Sequence, residues 1–170
     1  VMQDKILLGF LMDGPKTGYE IKKHMEHSTD FFYNTSPGSI YPAFQKLEKE
    51  GMVVMDQSVE GGRLKNRYSI TPIGKKAFNK WMGKKPALSK IRDEALLKIF
   101  FYSHFDREKR RDQMDKYRVD ILGRVAELKE LKKQLKKVEN NPFKLKTLDF
   151  GIEYYSFLNE WIGRFAENLK

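Results

Sequence analysis

The rhythm of hydrophobic and polar positions changes near Pro86. Before it, short apolar clusters alternate with glycine and proline; after it, apolar residues recur at helical spacing over long stretches. Ile6, Leu7, Phe10 and Leu11 share one helical face, and Gly14-Pro15 ends that first element. Thr17-Gly18 opens a second helix, in which Ile21 and Met25 share a face while Lys22 and Lys23 turn away. Residues 28–36 are polar enough for a connection, and their aromatics are expected to tuck into the core. A third helix is predicted over 38–50, with Gly51 just past its end. Residues 52–58 read as a strand, 60–62 as a turn and 67–70 as a return strand. Thr71 is then an N-cap and Pro72 the first residue of a fourth helix running to about 82.

In the second half, a hinge at Pro86 leads into a helix with Ile91, Ala95, Leu96, Ile99 and Phe100 on one side. A much longer pattern begins at Asp106. Met114, Ile121, Leu128 and Leu135 fall at one heptad position, and Tyr117, Arg124, Leu131 and Val138 at the other. Only Arg124 breaks this seam, and Val125 beside it covers the gap. Asn140-Asn141-Pro142 stops the helix. A last one follows, with Leu148, Tyr155, Leu158, Ile162, Phe165 and Leu169 as its apolar stripe. The short connection predicts antiparallel packing. Phe150, Tyr154, Phe157 and Trp161 widen the stripe beyond what one partner helix covers. A homodimer is therefore expected, held through Ile121, Leu128, Leu131, Leu135, Tyr155, Leu158, Ile162 and Phe165. The alternative is a monomer folded back onto residues 91–105.

The order helix, helix, helix, hairpin, helix predicts a winged helix-turn-helix domain over residues 1–85. Residues 86–170 then form an antiparallel helical domain for dimerisation and effector sensing, and the whole is mainly α with a small β-hairpin. The third helix is the natural reader. Ile40, Ala43, Phe44 and Leu47 face its core, which leaves Gly38, Pro42, Gln45, Lys46 and Lys49 on the opposite side. That side offers amide and ammonium donors without aliphatic bulk, which suits a major groove. Pro42 is tolerable only in the first turn, where its missing N–H breaks no helical hydrogen bond. The short start Ser36-Pro37-Gly38-Ser39 lets backbone approach phosphates closely. The hairpin tip over 60–67 holds three cations and one anion, and in an extended strand Arg63 and Lys65 point to one face. A glycine-flanked arginine at such a tip enters narrow minor grooves. A merely solvated helix and hairpin is the bland alternative; side by side, the two favour DNA. Lys22, Lys23 and Arg67 complete the candidate cations.

Charge supports this reading without locating it. Thirty-three Lys and Arg stand against 23 Asp and Glu, a net +10 that favours polyanionic partners. Each half carries +5 of it. The absence of cysteine excludes disulfide and thiolate chemistry. No apolar run approaches the ~20 residues of a membrane span, and none reads as a signal peptide, so a cytoplasmic protein without membrane partners is expected. His24 and His27 lie three apart but no further ligand motif joins them, so no metal is expected. No phosphate-binding glycine loop and no nucleophile–base arrangement appear, which argues against an enzyme and a cofactor. The aromatics, chiefly Phe100, Tyr154 and Trp161, offer stacking for a small planar effector, with Arg92 to hold a carboxylate. Core and dimer packing is the plainer explanation of the same residues.

Three blocks carry a family resemblance: Gly18-Tyr19-Glu20-Ile21, then residues 38–51 (GSIYPAFQKLEKEG), then Arg67-Tyr68-Ser69-Ile70-Thr71-Pro72-Ile73-Gly74. In this order and spacing the chain resembles the PadR family of bacterial transcriptional regulators. Its long helical second half looks like the larger, virulence-activator-like subgroup. The resemblance implies a homodimeric regulator, a repressor in most members, that binds a palindromic operator and in some cases responds to small aromatic acids. It maps the reading helix onto 38–50, Tyr41 included, and the wing onto 59–67. The competing reading is a winged-helix adaptor acting through protein contacts. A third, in which the basic helix 124–137 lies on anionic lipid, fits the narrow seam poorly.

Overall fold

The computed structural model describes residues 2–33, 37–60 and 62–169 and divides the chain into two units, Val1–Leu88 and Ser89–Lys170. In the first unit, α1 (Met2–Leu11) buries Leu7, Leu8 and Leu11. Gly14, at φ +116°, turns the chain into the short strand β1 (Lys16–Thr17) and then α2 (Gly18–Glu26). A reciprocal cap starts α2. The Glu20 amide donates to Thr17 Oγ1 at 3.1 Å, and the Thr17 amide donates to Glu20 Oε2 at 2.7 Å. A 3-10 turn at Pro37–Ser39 leads into α3 (Ile40–Lys49), which puts Pro42 in the first turn as its chemistry requires. Gly51, at φ +68°, ends the helix in a conformation that glycine adopts without a Cβ penalty.

Strands β2 (Val53–Glu60) and β3 (Arg63–Ile70) pair antiparallel along their whole length, from Val53 opposite Ile70 to Glu60 opposite Arg63. The return strand thus starts at residue 63, four positions before the one expected, and the basic tip is paired strand. Strand β1 adds to β3, with Lys16 opposite Tyr68, so the sheet has order β1-β3-β2. Two residues are too few to show a period-two pattern, and the sequence offered no sign of this third strand. Helix α4 (Pro72–Met82) begins at its predicted cap, where Thr71 accepts from the Gly74 amide at 3.1 Å and donates to the Gly51 carbonyl at 2.7 Å. The core joins α1, α2, α3 and the sheet, and stacks Phe44 on Tyr68 with ring centroids 3.8 Å apart. Phe32 and Tyr33, expected inside, are exposed.

The second unit starts its first helix later than expected. Asp93 caps α5 (Glu94–Phe100) by accepting from the Leu96 amide at 3.1 Å, which leaves Ile91 outside it and exposed. After a 3-10 turn at Tyr102–His104, Asp106 caps α6 (Arg107–Leu135), and Asn141 caps α7 (Pro142–Glu167). Arg118 meets Asn159 and Lys132 meets Asp149, so α6 and α7 run antiparallel as predicted. Val138 falls beyond the end of α6 and is exposed, because the helix stops at Leu135. Between the helices, Met114, Ile121, Leu158, Ile162 and Ala166 form a core that Tyr102 joins. No helix among the described residues is long and apolar enough to cross a membrane.

Candidate nucleic-acid interface

Helix α3 is built with two unlike faces. Ile40, Ala43, Phe44 and Leu47 are buried, while Gly38, Tyr41, Pro42, Gln45, Lys46 and Lys49 are exposed. The Phe44–Tyr68 stack fastens this helix to the wing strand β3. Tyr41 lies across the start of α2, in space that Gly18 leaves open: a Cβ at residue 18 would stand 3.0 Å from the tyrosine ring. The helix-turn-helix angle is thereby set by a glycine and a ring from separate sequence blocks. Ser39 is half-buried at the N-cap.

The candidate cations divide into two groups. Lys23, Lys49 and Lys65 are exposed. Lys46 instead donates to Asp4 of α1 at 2.6 Å, with Glu50 at 3.9 Å. Burial pushes the Asp4 carboxyl up, but the hydrogen bond from Lys46 leads the opposing effects, which together hold it below the usual range. The Asp4 hydrogen bond raises the Lys46 ammonium in turn. Arg67 stands 3.6 Å from Glu20 Oε1 and donates to the Pro15 carbonyl at 3.4 Å, which ties β3 to α2. The Glu20 carboxyl lies below its ordinary value, chiefly through the hydrogen bond from the Thr17 amide. Lys22 is half-buried, 3.8 Å from Glu26. Lys46 and Arg67 therefore brace the frame as well as adding charge to the face. Ser36 lies outside the described residues, and so does the side chain of Arg63. Asp4 and exposed Tyr19 were missed from sequence; Asp4 shows itself only through a contact 42 residues away.

The second unit revises two further expectations. Ile121, Leu128, Leu158 and Ile162, named as dimer contacts, are buried where α6 meets α7 of the same chain. Leu131, Leu135, Tyr155 and Phe165 are half-buried. The heptad seam is satisfied within one subunit. Exposed instead are Phe143, Phe150 and Phe157 on α7, at 79%, 64% and 58%. Nor do Phe100, Tyr154 and Trp161 form one stacking site. Phe100 is 78% exposed against Phe101, Tyr154 packs on Phe150 and Tyr155, and Trp161 stacks on Phe165. A cleft of about 440 Å3 lies elsewhere in this unit, where Arg92, Lys98, Lys116 and Tyr117 face Asp93, Glu94 and Asp120; Lys98 pairs with Glu94 and Lys116 with Asp112, each at 2.7 Å. Burial, with Asp93, Tyr154 and Tyr155 nearby, pushes the Tyr117 hydroxyl up to about 12.

A three-helix core, an edge hairpin, and a third helix with a polar exposed face define a winged helix-turn-helix, a class of DNA-binding domain. Residues 7–80 match the Transcriptional regulator PadR-like family, and residues 91–170 match the Virulence activator alpha C-term family. The Negative transcriptional regulator PadR of Bacillus subtilis (strain 168) is 28% identical over 162 residues, 93% of this chain and 86% of the relative. The crystal structure of Bacillus subtilis PadR in complex with operator DNA superposes at a TM-score of 0.91 and 21% identity, covering 100% of both chains. That of the same protein with p-coumaric acid gives 0.81 at 21% identity, covering 98% of this chain and 94% of the other. The chain belongs to the PadR-like family: it is a DNA-binding transcriptional regulator and not an enzyme.

Proposed function

We propose that the protein is a cytoplasmic homodimeric repressor that reads an inverted-repeat operator with α3 and grips flanking phosphates with its wing. One observation carries this reading: the α3 face of Gly38, Pro42, Gln45 and Lys49 is exposed beside the hairpin, with no bulky aliphatic side chain on it. Gln45 is the base reader, since an amide pairs with two acceptor and donor positions of adenine. Lys23, Lys49, Arg63 and Lys65 supply phosphate contacts, and Ser36, Gly38, Ser39 and Tyr41 the close approach to the backbone. Repression is supported by the negative regulator of Bacillus subtilis, and operator binding by the DNA complex of that relative.

The dimer rests on a second seam along α7. Phe143, Phe150 and Phe157 are seven apart, with Tyr154 and Trp161 four positions further on, which is the spacing of a helix-packing stripe. An exposed aromatic row of this kind is a partner surface. A small aromatic acid is the proposed effector, by likeness to the p-coumaric acid complex. The cleft beside Arg92 is its candidate seat: Arg92 takes the acid group, since Lys98 and Lys116 are paired with Glu94 and Asp112, and Tyr117, kept as a neutral phenol, is a donor there.

Fluorescence anisotropy on an operator duplex across a salt series tests the reading. About six phosphates neutralised per dimer give a log–log slope of roughly −5. Lys65→Ala, which removes one contact from each subunit, should weaken all duplexes alike and flatten that slope by about 2, while Gln45→Ala should change which sequence binds best. Salt-independent binding, or identical losses on every sequence for both variants, would overturn this division and favour an adaptor role.

A further inference from the structure

The end of the α6/α7 pair near the connection between the two helices carries a concentration of positive charge. Lys129, Lys132, Lys133 and Lys136 recur at i, i+3, i+4 and i+7, so they share one side of α6. With Asp149, Ile152 and Glu153 of α7 they line a cleft of about 400 Å3. Like charges at these spacings repel and weaken the helix that bears them. The fold relieves one of the four. Lys132 donates to Asp149, which Lys146 also approaches at 3.5 Å, and the Lys132 hydrogen bond holds that carboxyl below its ordinary range. Among the described residues, no carboxylate forms an ion pair with Lys129, Lys133 or Lys136.

The lining selects a class of ligand. A concave cleft of this volume falls in the range of small-molecule sites, ~300–1,000 Å3, and admits a compact anion more readily than a duplex rod. Its cations are all lysines, point charges that share one multiply charged anion rather than forks that each clasp one acid group. No aromatic residue lines it, so it has no platform on which a base would stack. We infer that this cleft binds a polyphosphate chain through Lys129, Lys133 and Lys136, and that it recognises the phosphates and not what they are attached to. Asp149 is engaged by Lys132 and Lys146, and Glu153 is the other opposing charge in the lining and weakens the site.

Calorimetric titration of the full chain with inorganic tripolyphosphate tests this. Saturable binding is expected, at least about tenfold tighter than orthophosphate, as a cleft with four lysines against two carboxylates allows. The Lys133→Glu/Lys136→Glu variant should lose about tenfold or more, and Glu153→Gln should tighten binding, a gain that a merely structural role would not produce. Lys75→Glu/Lys76→Glu on α4 makes the same charge change on exposed lysines elsewhere and should matter less than about twofold. Lys133→Ala/Lys136→Ala, which relieves repulsion in α6, guards against a variant that loses binding by unfolding. Equal losses in the two Glu variants, no loss in the α6 variant, or equal affinity for orthophosphate would each overturn the inference. Further arms identify the source of the phosphates. ATP binding as tightly as tripolyphosphate supports a soluble ligand. Lys133/Lys136-dependent binding to phosphatidylcholine vesicles doped with phosphatidylinositol bisphosphate supports a headgroup. A non-operator duplex that displaces tripolyphosphate from the cleft would contradict the inference and assign the lysines to DNA.

Discussion

Asp4 shows how much one buried carboxylate governs the reading helix. It is nearly inaccessible on α1, and its partner is the Lys46 ammonium of α3. Asp4→Asn replaces a hydrogen-bonded carboxylate at a nearly inaccessible position with an amide that the exposed Lys46 ammonium pairs with only weakly, so it is expected to cost about 1 kcal/mol. The pH dependence has a definite sign. The folded-state value of Asp4 is depressed below 3.8, so its stabilisation is present above that value and lost as pH falls through the folded one. Urea unfolding of wild type and Asp4→Asn should differ at neutral pH and converge in acid below about pH 4. A gap that stays constant through the acid range would show that the pair carries no linkage. Freed from Asp4, Lys46 also becomes one more cation for phosphate, so the variant should bind DNA with a slightly steeper salt slope.

At the scale of elements, the local signals were the legible ones. Thr17, Thr71 and Asn141 cap helices that begin where their side chains place them, because a cap needs only residues two or three positions away. Gly74 is a different case. Its position in the first turn of α4 is readable, but its reason is not: a Cβ there would stand 2.2 Å from the Met52 carbonyl oxygen. Gly74→Ala should therefore cost at least about 2 kcal/mol in chemical denaturation, since backbone has to move. A near-neutral result would mean that α4 shifts freely against β2. What the pattern could not reveal was distance in sequence. Strand β1 exists only because β3 offers it an edge, and Arg67 reaches Glu20 across 47 positions. Nor could a heptad pattern tell a seam within the chain from one between chains. The same spacing served both, so Ile121 and Ile162 were assigned to a partner when α6 and α7 bury them in each other.

For the whole molecule, the net charge of +10 supplies attraction to DNA, and symmetry is proposed to supply selectivity. Two wings held at fixed separation read two half-sites, and each half-site adds its own discrimination. The exposed row on α7 is what the account asks to hold them. Phe150→Glu/Phe157→Glu should give a folded monomer by sedimentation, with helical content retained because neither residue belongs to the α6/α7 core. A variant that stays dimeric would move the interface elsewhere. The most direct test is selection of bound duplexes from a random pool by the wild-type protein at moderate salt, followed by sequencing. An inverted repeat with fixed spacing, about one helical turn or a multiple of it between half-site centres, is the predicted result. Enrichment of a single unrepeated motif, or none at all, would contradict a symmetric reader built on α3.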